Sequence, residues 1–378
     1  MAMKRIMWLV PALVLAVSCG KEEAPPARVV VEDSDLLCPE GMARVLSRLP
    51  LGAEHLDEVF DAVSSSSENG YDEEYMLKDL IDAPGKGVGD PPTKASSGHA
   101  APLRSLLAEY LSLNCATKGG GVESLLDAIS RSGMQIYWPY SEDWDGESLP
   151  IITFDPGLGL ESNYGYALSL DPEGRHKVDS VFVDESVART RPVWVINSND
   201  DASFTPADLF ISDVSTKAPS PAQRHLLLKS FTMLRSYDTW FQGASEFMIK
   251  IGSVDGFTAS TEAELKLYTA SITDMMIVVK RKNLGKELYY DAVLMTDFSN
   301  NLDKLAFLVT EDDGGTQTTW ECEATVKWQS KSYGFAVKIP YNEKDDIVWR
   351  GRLAASFFQE ADEVSGRFGD VVIKFALE

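Results

Sequence analysis

The stretch WECEATVKW, residues 320–328, decides the fold of the second half of the chain. Its apolar positions alternate without a break with its charged and polar positions. Because successive side chains of a β-strand point to opposite faces, this alternation predicts a strand with one buried and one solvated face. Half-buried strands of this kind are typical of antiparallel sheets. We therefore expect Trp320 and Trp328 to be core residues, with Cys322 as a small apolar residue between them.

Outward from this strand, short β-rich segments fill residues 221–378. Predicted strands are EFMIKI, AELKLY, MMIVVKRK, ELYYDAVLM, KLAFLVT, FAVKIP, DIVWRGRLAASFF and VVIKFAL. Several strands with short turns and no crossover helices predict a C-terminal β-sandwich. The preceding segment SPAQRHLLLKSFTMLRSYDTWF fits either a helix that begins at Ser220 and Pro221 or a strand. The β-rich sequence that follows it favours the strand.

The first half of the chain has a different periodicity. Apolar residues at three- and four-residue spacing predict helices within residues 35–132, as in AEHLDEVFDAV, EEYMLKDLIDAP and APLRSLLAEYLSL. From Gly133, MQIYWPY, LPIITFDP, YGYALSL, DSVFVDES and PVWVINSN predict short strands, so residues 133–220 are β-rich. The sequence thus predicts an α+β protein with an N-terminal helical region, mostly antiparallel β structure after it, and a C-terminal β-sandwich.

The amino-terminal residues have the order of an export signal. The basic segment MAMKR precedes an apolar stretch over residues 6–17, which is too short to span a bilayer. Ser18 and Cys19 follow, and this junction resembles the lipobox of bacterial lipoproteins, although Ala16 stands where leucine is usual. The resemblance implies a signal peptide over residues 1–18, a lipid on Cys19 and a tether over residues 19–34. An ordinary signal peptide with an incidental cysteine is the alternative.

Charge and cysteine content restrict the partners and the compartment. The net charge of −23 becomes −25 when the two positive charges of Lys4 and Arg5 leave with the leader. Such a chain repels polyanions, so we expect no nucleic-acid partner and contact with the membrane only through the lipid. Export permits a disulfide bridge, and Cys38–Cys115 is the favoured pair because both cysteines lie in the helical region.

Three further segments resemble exported lipoproteins of gut-type Bacteroidota. These are LLLKSFTMLRSYDTWFQGASEF, EDDGGTQTTWECEATVK and KDDIVWRGRL, and the start SCGKEE resembles them as well. The resemblance covers the leader and most of the sandwich segment. It implies a place in the cell envelope. We expect the protein at the outer membrane, either on its periplasmic face or on the cell surface. It carries no assigned activity and no catalytic residues.

The stretch GMQIYWPYSEDWDGESLP, residues 133–150, is the strongest candidate for a contact surface. We interpret it as a hairpin with its turn at EDWDGE. Trp144 at the turn has no obvious core partner, so Trp144 and Tyr140 are the predicted ligand contacts. Asp143 and Asp145 are candidate Ca²⁺ ligands, since hard cations prefer carboxylate oxygens on short turns. A solvated turn is the alternative, and the spacing does not continue as an EF-hand.

Alternate loops of a sandwich share one end, which places KRKNLGK, TEDDGGT and YNEKDD at the same tip. Lys280, Arg281 and Lys282 would then lie beside four aspartates, Asp312, Asp313, Asp345 and Asp346. Two interpretations are open. The charges compensate one another on a solvated rim, or they form a divalent-ion or ligand site.

The sequence favours binding over catalysis. It has no G-x-S-x-G, H-E-x-x-H or C-x-x-C motif, and Ca²⁺ is the single candidate cofactor. The favoured hypothesis is a non-enzymatic, lipid-anchored envelope protein that binds a partner protein or a glycan. A glycan hydrolase with acidic catalytic residues and a structural subunit of a surface assembly are the alternatives.

Overall fold

A computed structural model describes residues 36–68, 70–82, 101–114, 121–157, 159–199 and 224–378. The leader, Cys19, the tether and Cys115, one half of the predicted bridge, lie outside these residues. Within the described part, no helix is long and apolar enough to cross a membrane.

Helices precede strands in the first half, and strands dominate the second. The helices are α1 Pro39–Leu46, α2 Ala53–Glu68, α3 Leu77–Ile81, α4 Pro102–Asn114, α5 Gly121–Ser130, α6 Glu185–Ala188 and α7 Glu262–Leu265. The first six strands are β1 Glu74–Met76, β2 Met134–Tyr137, β3 Ile151–Phe154, β4 Ser162–Leu170, β5 His176–Asp184 and β6 Val193–Ser198. The remaining strands are β7 Leu226–Met233, β8 Ser245–Ser253, β9 Ser271–Val279, β10 Leu288–Met295, β11 Leu302–Glu311, β12 Gln317–Trp328, β13 Lys331–Asn342, β14 Asp346–Ala354, β15 Glu363–Phe368 and β16 Val371–Leu377.

The amino-terminal sheet has the strand order β1-β2-β6-β3-β4-β5. Its pairs are antiparallel except for β3 and β6, which run parallel. Even-numbered residues of β6 such as Trp194 pack against α1 to α5, while Val193 and Val195 face the opposite side. Both faces are buried, which explains the continuous apolar runs of β3 and β6. The predicted helical and β-rich regions therefore share one sheet and one core.

The carboxy-terminal half is a β-sandwich, as the sequence predicts. One sheet has the order β10-β7-β16-β15, the other has the order β13-β12-β11-β8-β9, and β14 pairs with β11. Phe231, Phe247, Phe307 and Phe375 fill the core between the sheets. The segment that fits either a helix or a strand contains β7, so the preference for a strand is confirmed.

The decisive stretch, residues 320–328, lies in β12 and pairs with β13 along its whole length. Ala324 and Val326 are fully buried, and Trp320, Cys322 and Trp328 on the same face are half-buried against the same core. The predicted alternation is confirmed, and burial of the face decreases toward the two tryptophans.

Two segments have a different secondary structure from the one their periodicity predicts. EEYM is not helical: Glu74–Met76 pairs with Gln135–Tyr137, and only the following α3 is a helix. AELKLY is not a strand, because Thr261 and Glu264 form a capping box that starts α7. In both cases the hydrogen bonds made to the backbone outweigh the side-chain periodicity.

The β7–β8 loop, residues 234–244, joins the sandwich to the amino-terminal sheet. Its Trp240 and Phe241 are buried against Tyr137, Val193 and Val195, on the sheet face opposite helices α1 to α5. The Trp240 indole N–H donates to the carbonyl of Glu161 at 3.0 Å, and the Asn197 amide donates to the carbonyl of Phe241 at 3.1 Å. The two halves thus pack through this loop.

Candidate ligand-binding site

The predicted contact residues and the predicted calcium ligands line the same cleft, which has a volume of about 320 Å³. Its walls come from three segments: residues 138–149, the end of β4 at Leu168 and Ser169, and residues 188–192 between α6 and β6. Trp144, Tyr140, Asp143 and Asp145 all belong to the first wall. The structure therefore brings all four residues together.

The first wall is held by a compact turn. Tyr140 has φ +59°, in the left-handed region, and a 3-10 turn over Ser141–Asp143 follows it. Asp145 accepts hydrogen bonds from the Ser148 hydroxyl at 2.5 Å, the Ser148 amide at 2.7 Å and the Glu147 amide at 2.9 Å. These bonds lower the pKa of Asp145 to about 2. Asp145 is therefore an ionised carboxylate that closes the turn.

Trp144 has core partners, so the expectation that it lacks them is wrong. Its ring centroid lies 5.2 Å from that of Trp138 and 5.3 Å from that of Phe60 on α2. Its indole N–H donates to the carbonyl of Ser148 at 3.0 Å. A helix more than eighty residues earlier in the chain supplies the Phe60 ring, which local sequence cannot reveal. Trp144 remains half-buried and lines the cleft with its remaining surface.

Tyr140 is linked to the sandwich through Glu185. Its hydroxyl donates to Glu185 Oε1 at 2.7 Å, and the Arg189 guanidinium lies 5.0 Å from its ring centroid. Burial and the bond to Glu185 raise the pKa of Tyr140 well above its usual range, so it stays neutral. Arg189 also donates to Glu185 at 2.8 Å, and Arg281 of the sandwich lies 3.4 Å from the same carboxylate. Tyr140 and Arg189 are thus fixed in place by shared contacts to Glu185.

Asp143 and Arg191 are two charged groups of the cleft with unused bonding capacity. Both side chains are exposed, and neither has a side-chain hydrogen bond or ion pair to another residue of the described ranges. A carboxylate acceptor and a guanidinium donor therefore line the same cleft as the half-buried Trp144. The cleft suits a ligand that has an apolar face and hydroxyl or charged groups at its edge. Sequence reasoning missed Arg189 and Arg191, whose signal was the basic segment ARTR in an acidic chain.

The predicted calcium ligands are only partly suited to a cation. Asp145 already accepts three hydrogen bonds, and Asp143 and Asp145 have no third carboxylate within ligating distance among the described residues. Within those ranges, the group with cation-like spacing is Asp238, Glu311 and Asp313. Calcium at Asp143 and Asp145 remains a prediction.

Lys280 and Lys282 do not pair with the tip aspartates that the sequence places beside them. Lys282 lies 2.9 Å from Glu73 and also contacts Glu142, while Lys280 lies 3.4 Å from Glu73. Both lysines therefore pair with acids of the amino-terminal half instead of the tip aspartates. That half covers this side of the tip and places the nearly buried Glu73 carboxylate within reach of both lysines.

Comparison with protein-family models, with curated proteins and with solved structures found no match to this chain.

Proposed function

We propose that the chain is a lipid-anchored cell-envelope protein that binds a glycan in the cleft described above. The observation that carries this proposal is that Trp144, Asp143 and Arg191 line the same open cleft. An indole face packs against the apolar face of a sugar ring, and the two polar groups can bond its hydroxyls or a carboxylate.

The size and composition of the cleft support a small ligand. Ligand pockets usually enclose about 300–1,000 Å³ and combine aromatic walls with a few polar groups. The present cleft, at about 320 Å³, lies at the lower end of this range. A terminal monosaccharide or disaccharide unit fits it better than the middle of a long polysaccharide.

Binding is better supported than hydrolysis. A glycosidase pairs an acid of raised pKa with a second carboxylate across the scissile bond. In the cleft, the pKa of Asp145 is lowered. Among the described residues, carboxylates with a raised pKa lie elsewhere. Examples are Glu311 at the sandwich tip and Glu73 at the interface between the halves.

A structural subunit is also less well supported. The nine-residue edge strand β5 carries the exposed charges of Lys177 and Asp179. Charges on an edge strand oppose pairing with another chain.

A glycan array tests the binding proposal. Protein that starts at Val29 should bind a defined set of oligosaccharides, and Trp144→Ala and Arg191→Ala should each weaken binding about tenfold or more. Arg191 is exposed, so its variant separates lost contacts from lost packing. Tyr289→Ala, which removes an aromatic ring 72% exposed on the sandwich, is the control and should bind normally. An empty array, together with cleavage of a polysaccharide or capture of a protein through this cleft, would contradict glycan binding.

Membrane attachment is tested separately. The lipobox-like junction at Cys19 supports a lipid anchor, because two or more acyl chains hold a protein stably at a membrane. Cys19→Ser should abolish lipid labelling and move the protein from the membrane fraction to the soluble fraction. Unchanged processing and partitioning of this variant would contradict the anchor.

A further inference from the structure

Three carboxylates meet at the tip of the sandwich, where the β7–β8 loop approaches the end of β11. Asp238 belongs to that loop, Glu311 ends β11, and Asp313 lies two residues beyond it. One oxygen of each lies within 4.8 Å of the others. Two oxygens that bind one Ca²⁺ at 2.3–2.6 Å lie at most about 5 Å apart, so the spacing fits a shared cation.

Glu311 provides a second and independent observation. Its side chain is 0% exposed, and neither carboxylate oxygen has a hydrogen-bond donor among the described residues. One oxygen of Asp238 is likewise buried without a donor. Asp238 faces Glu311, but a carboxylate cannot donate a hydrogen bond unless it is protonated. A buried, ionised carboxylate without a donor or cation is strongly unfavourable.

Most of the charges around the group are negative. Asp312, Asp345 and Asp346 add negative charge from the neighbouring loops. The Arg281 guanidinium interacts electrostatically with Asp238, yet its hydrogen bond goes to the main-chain carbonyl of that residue, at 2.6 Å. Its ion pairs go to Glu185 at 3.4 Å and Glu161 at 3.9 Å in the amino-terminal half. The three carboxylates therefore lack an ion-pair partner within the described ranges.

We propose that Asp238, Glu311 and Asp313 bind one Ca²⁺ that fastens the β7–β8 loop to the end of β11. All three ligands are hard oxygen donors, and two of them lie on loops that can adjust to a large ion. Mg²⁺ demands near-ideal octahedral geometry at 2.0–2.1 Å and retains its waters, so Ca²⁺ is the better match. Histidine and cysteine, which zinc prefers, are absent from this cluster.

The loop gives the site a structural consequence. Asp238 lies two residues before Trp240, which with Phe241 packs into the amino-terminal sheet. A cation on Asp238 holds the start of this short segment in place. Calcium should therefore stabilise the packing of the two halves as well as the tip of the sandwich.

Proton release provides a further readout. Without a cation, burial and the neighbouring Asp238 carboxylate raise the pKa of Glu311 to about 12. Burial and the surrounding carboxylates raise the pKa of Asp313 to about 6. A cation that binds ionised carboxylates must displace the proton from Glu311. The measured binding heat should consequently depend on the ionisation enthalpy of the buffer.

Calorimetric titration and thermal unfolding test the site. Protein that starts at Val29 is stripped with chelator and titrated with Ca²⁺. We expect a dissociation constant in the range of about 10⁻⁴–10⁻³ M or tighter, and a melting temperature about 5 °C higher at saturation. Glu311→Gln should weaken binding at least tenfold and abolish the shift. Since the glutamine side chain carries no charge, we expect this variant to melt no lower than wild type in chelator.

Two further variants complete the test. Glu321→Gln removes an exposed carboxylate on β12 and should bind Ca²⁺ as the wild type does. Asp313→Asn removes a ligand that is only partly buried and replaces Glu311→Gln if that variant does not fold. The proposal fails if wild type shows neither binding heat nor a melting shift at about 10 mM Ca²⁺, a concentration well above the expected dissociation constant. It also fails if the ligand variants bind Ca²⁺ as tightly as wild type.

Discussion

Replacing Phe241 with alanine removes the side chain that the sandwich loop places deepest in the contact between the two halves. Phe241 is fully buried, its ring centroid lies 4.0 Å from that of Trp240, and Val193 and Val195 share its core. The loss combines the transfer free energy of the ring with the cavity left behind. Buried Phe→Ala changes of this kind cost about 3–5 kcal/mol. The β6 strand, paired on both sides, cannot collapse into the gap, so we expect a value within this range.

Urea denaturation followed by tryptophan fluorescence measures this loss. Trp240, next to Phe241, and Trp194, on the other face of the same sheet, should both report the transition. Phe182→Ala is the matched control, because Phe182 is 65% exposed on β5 and its truncation should change stability by less than about 0.5 kcal/mol. A loss below about 1 kcal/mol for Phe241→Ala, or equal losses for the two variants, would show that the loop does not hold the halves together.

Two further variants probe the same region of the molecule. Asp313→Asn should stabilise the cation-free protein by an amount that grows between about pH 4 and pH 7 and is absent below pH 4. Folding raises the pKa of Asp313 from 3.8 to about 6, so the folded wild-type protein loses stability as this carboxyl ionises. Urea midpoints in chelator at several pH values check this, and a difference independent of pH would refute it. Gly243→Ala should destabilise the protein by about 1–3 kcal/mol, because Gly243 has φ +111° and an added Cβ would lie 3.1 Å from Asp72 Oδ2. Thermal unfolding checks this, with Gly174→Ala as a control that has the same type of strain, at φ +77°, and open space around it.

The strands were predictable where one face is buried and the other is solvated. The alternation in β12 specifies a half-buried strand without any knowledge of its neighbours, and the structure confirms it. The same logic failed for AELKLY, where a local capping box decides the conformation, and for EEYM, where a partner strand sixty residues later does. The predicted list also lacks β15, whose sequence EVSGRF shows weak alternation and contains a glycine.

The candidate cleft was predictable in part. Residues 133–150 contain the four predicted residues of one wall, Tyr140, Asp143, Trp144 and Asp145. The predicted hairpin is wrong, because β6 lies between β2 and β3 and pairs with both. The Phe60 partner of Trp144 and the cleft wall with Arg191 come from distant segments that only tertiary packing brings together.

The sandwich tip shows the same limit. Loop alternation placed the tip aspartates near one another, and the electrostatic coupling of Asp313 with Asp312, Asp345 and Asp346 agrees with that placement. Asp238, from an earlier loop, was not foreseen, since its segment offered no turn or ligand pattern. The tip lysines were assigned to the wrong acids because the covering amino-terminal half is invisible to a strand-by-strand prediction.

Calorimetric titration of the protein with an oligosaccharide selected on the array tests the proposed cleft most directly. Wild-type protein should bind with one site per chain, and Arg191→Ala should bind at least tenfold more weakly while its melting temperature stays unchanged. Equal affinities of wild type and Arg191→Ala for that oligosaccharide would place its binding outside the cleft and contradict the proposed function.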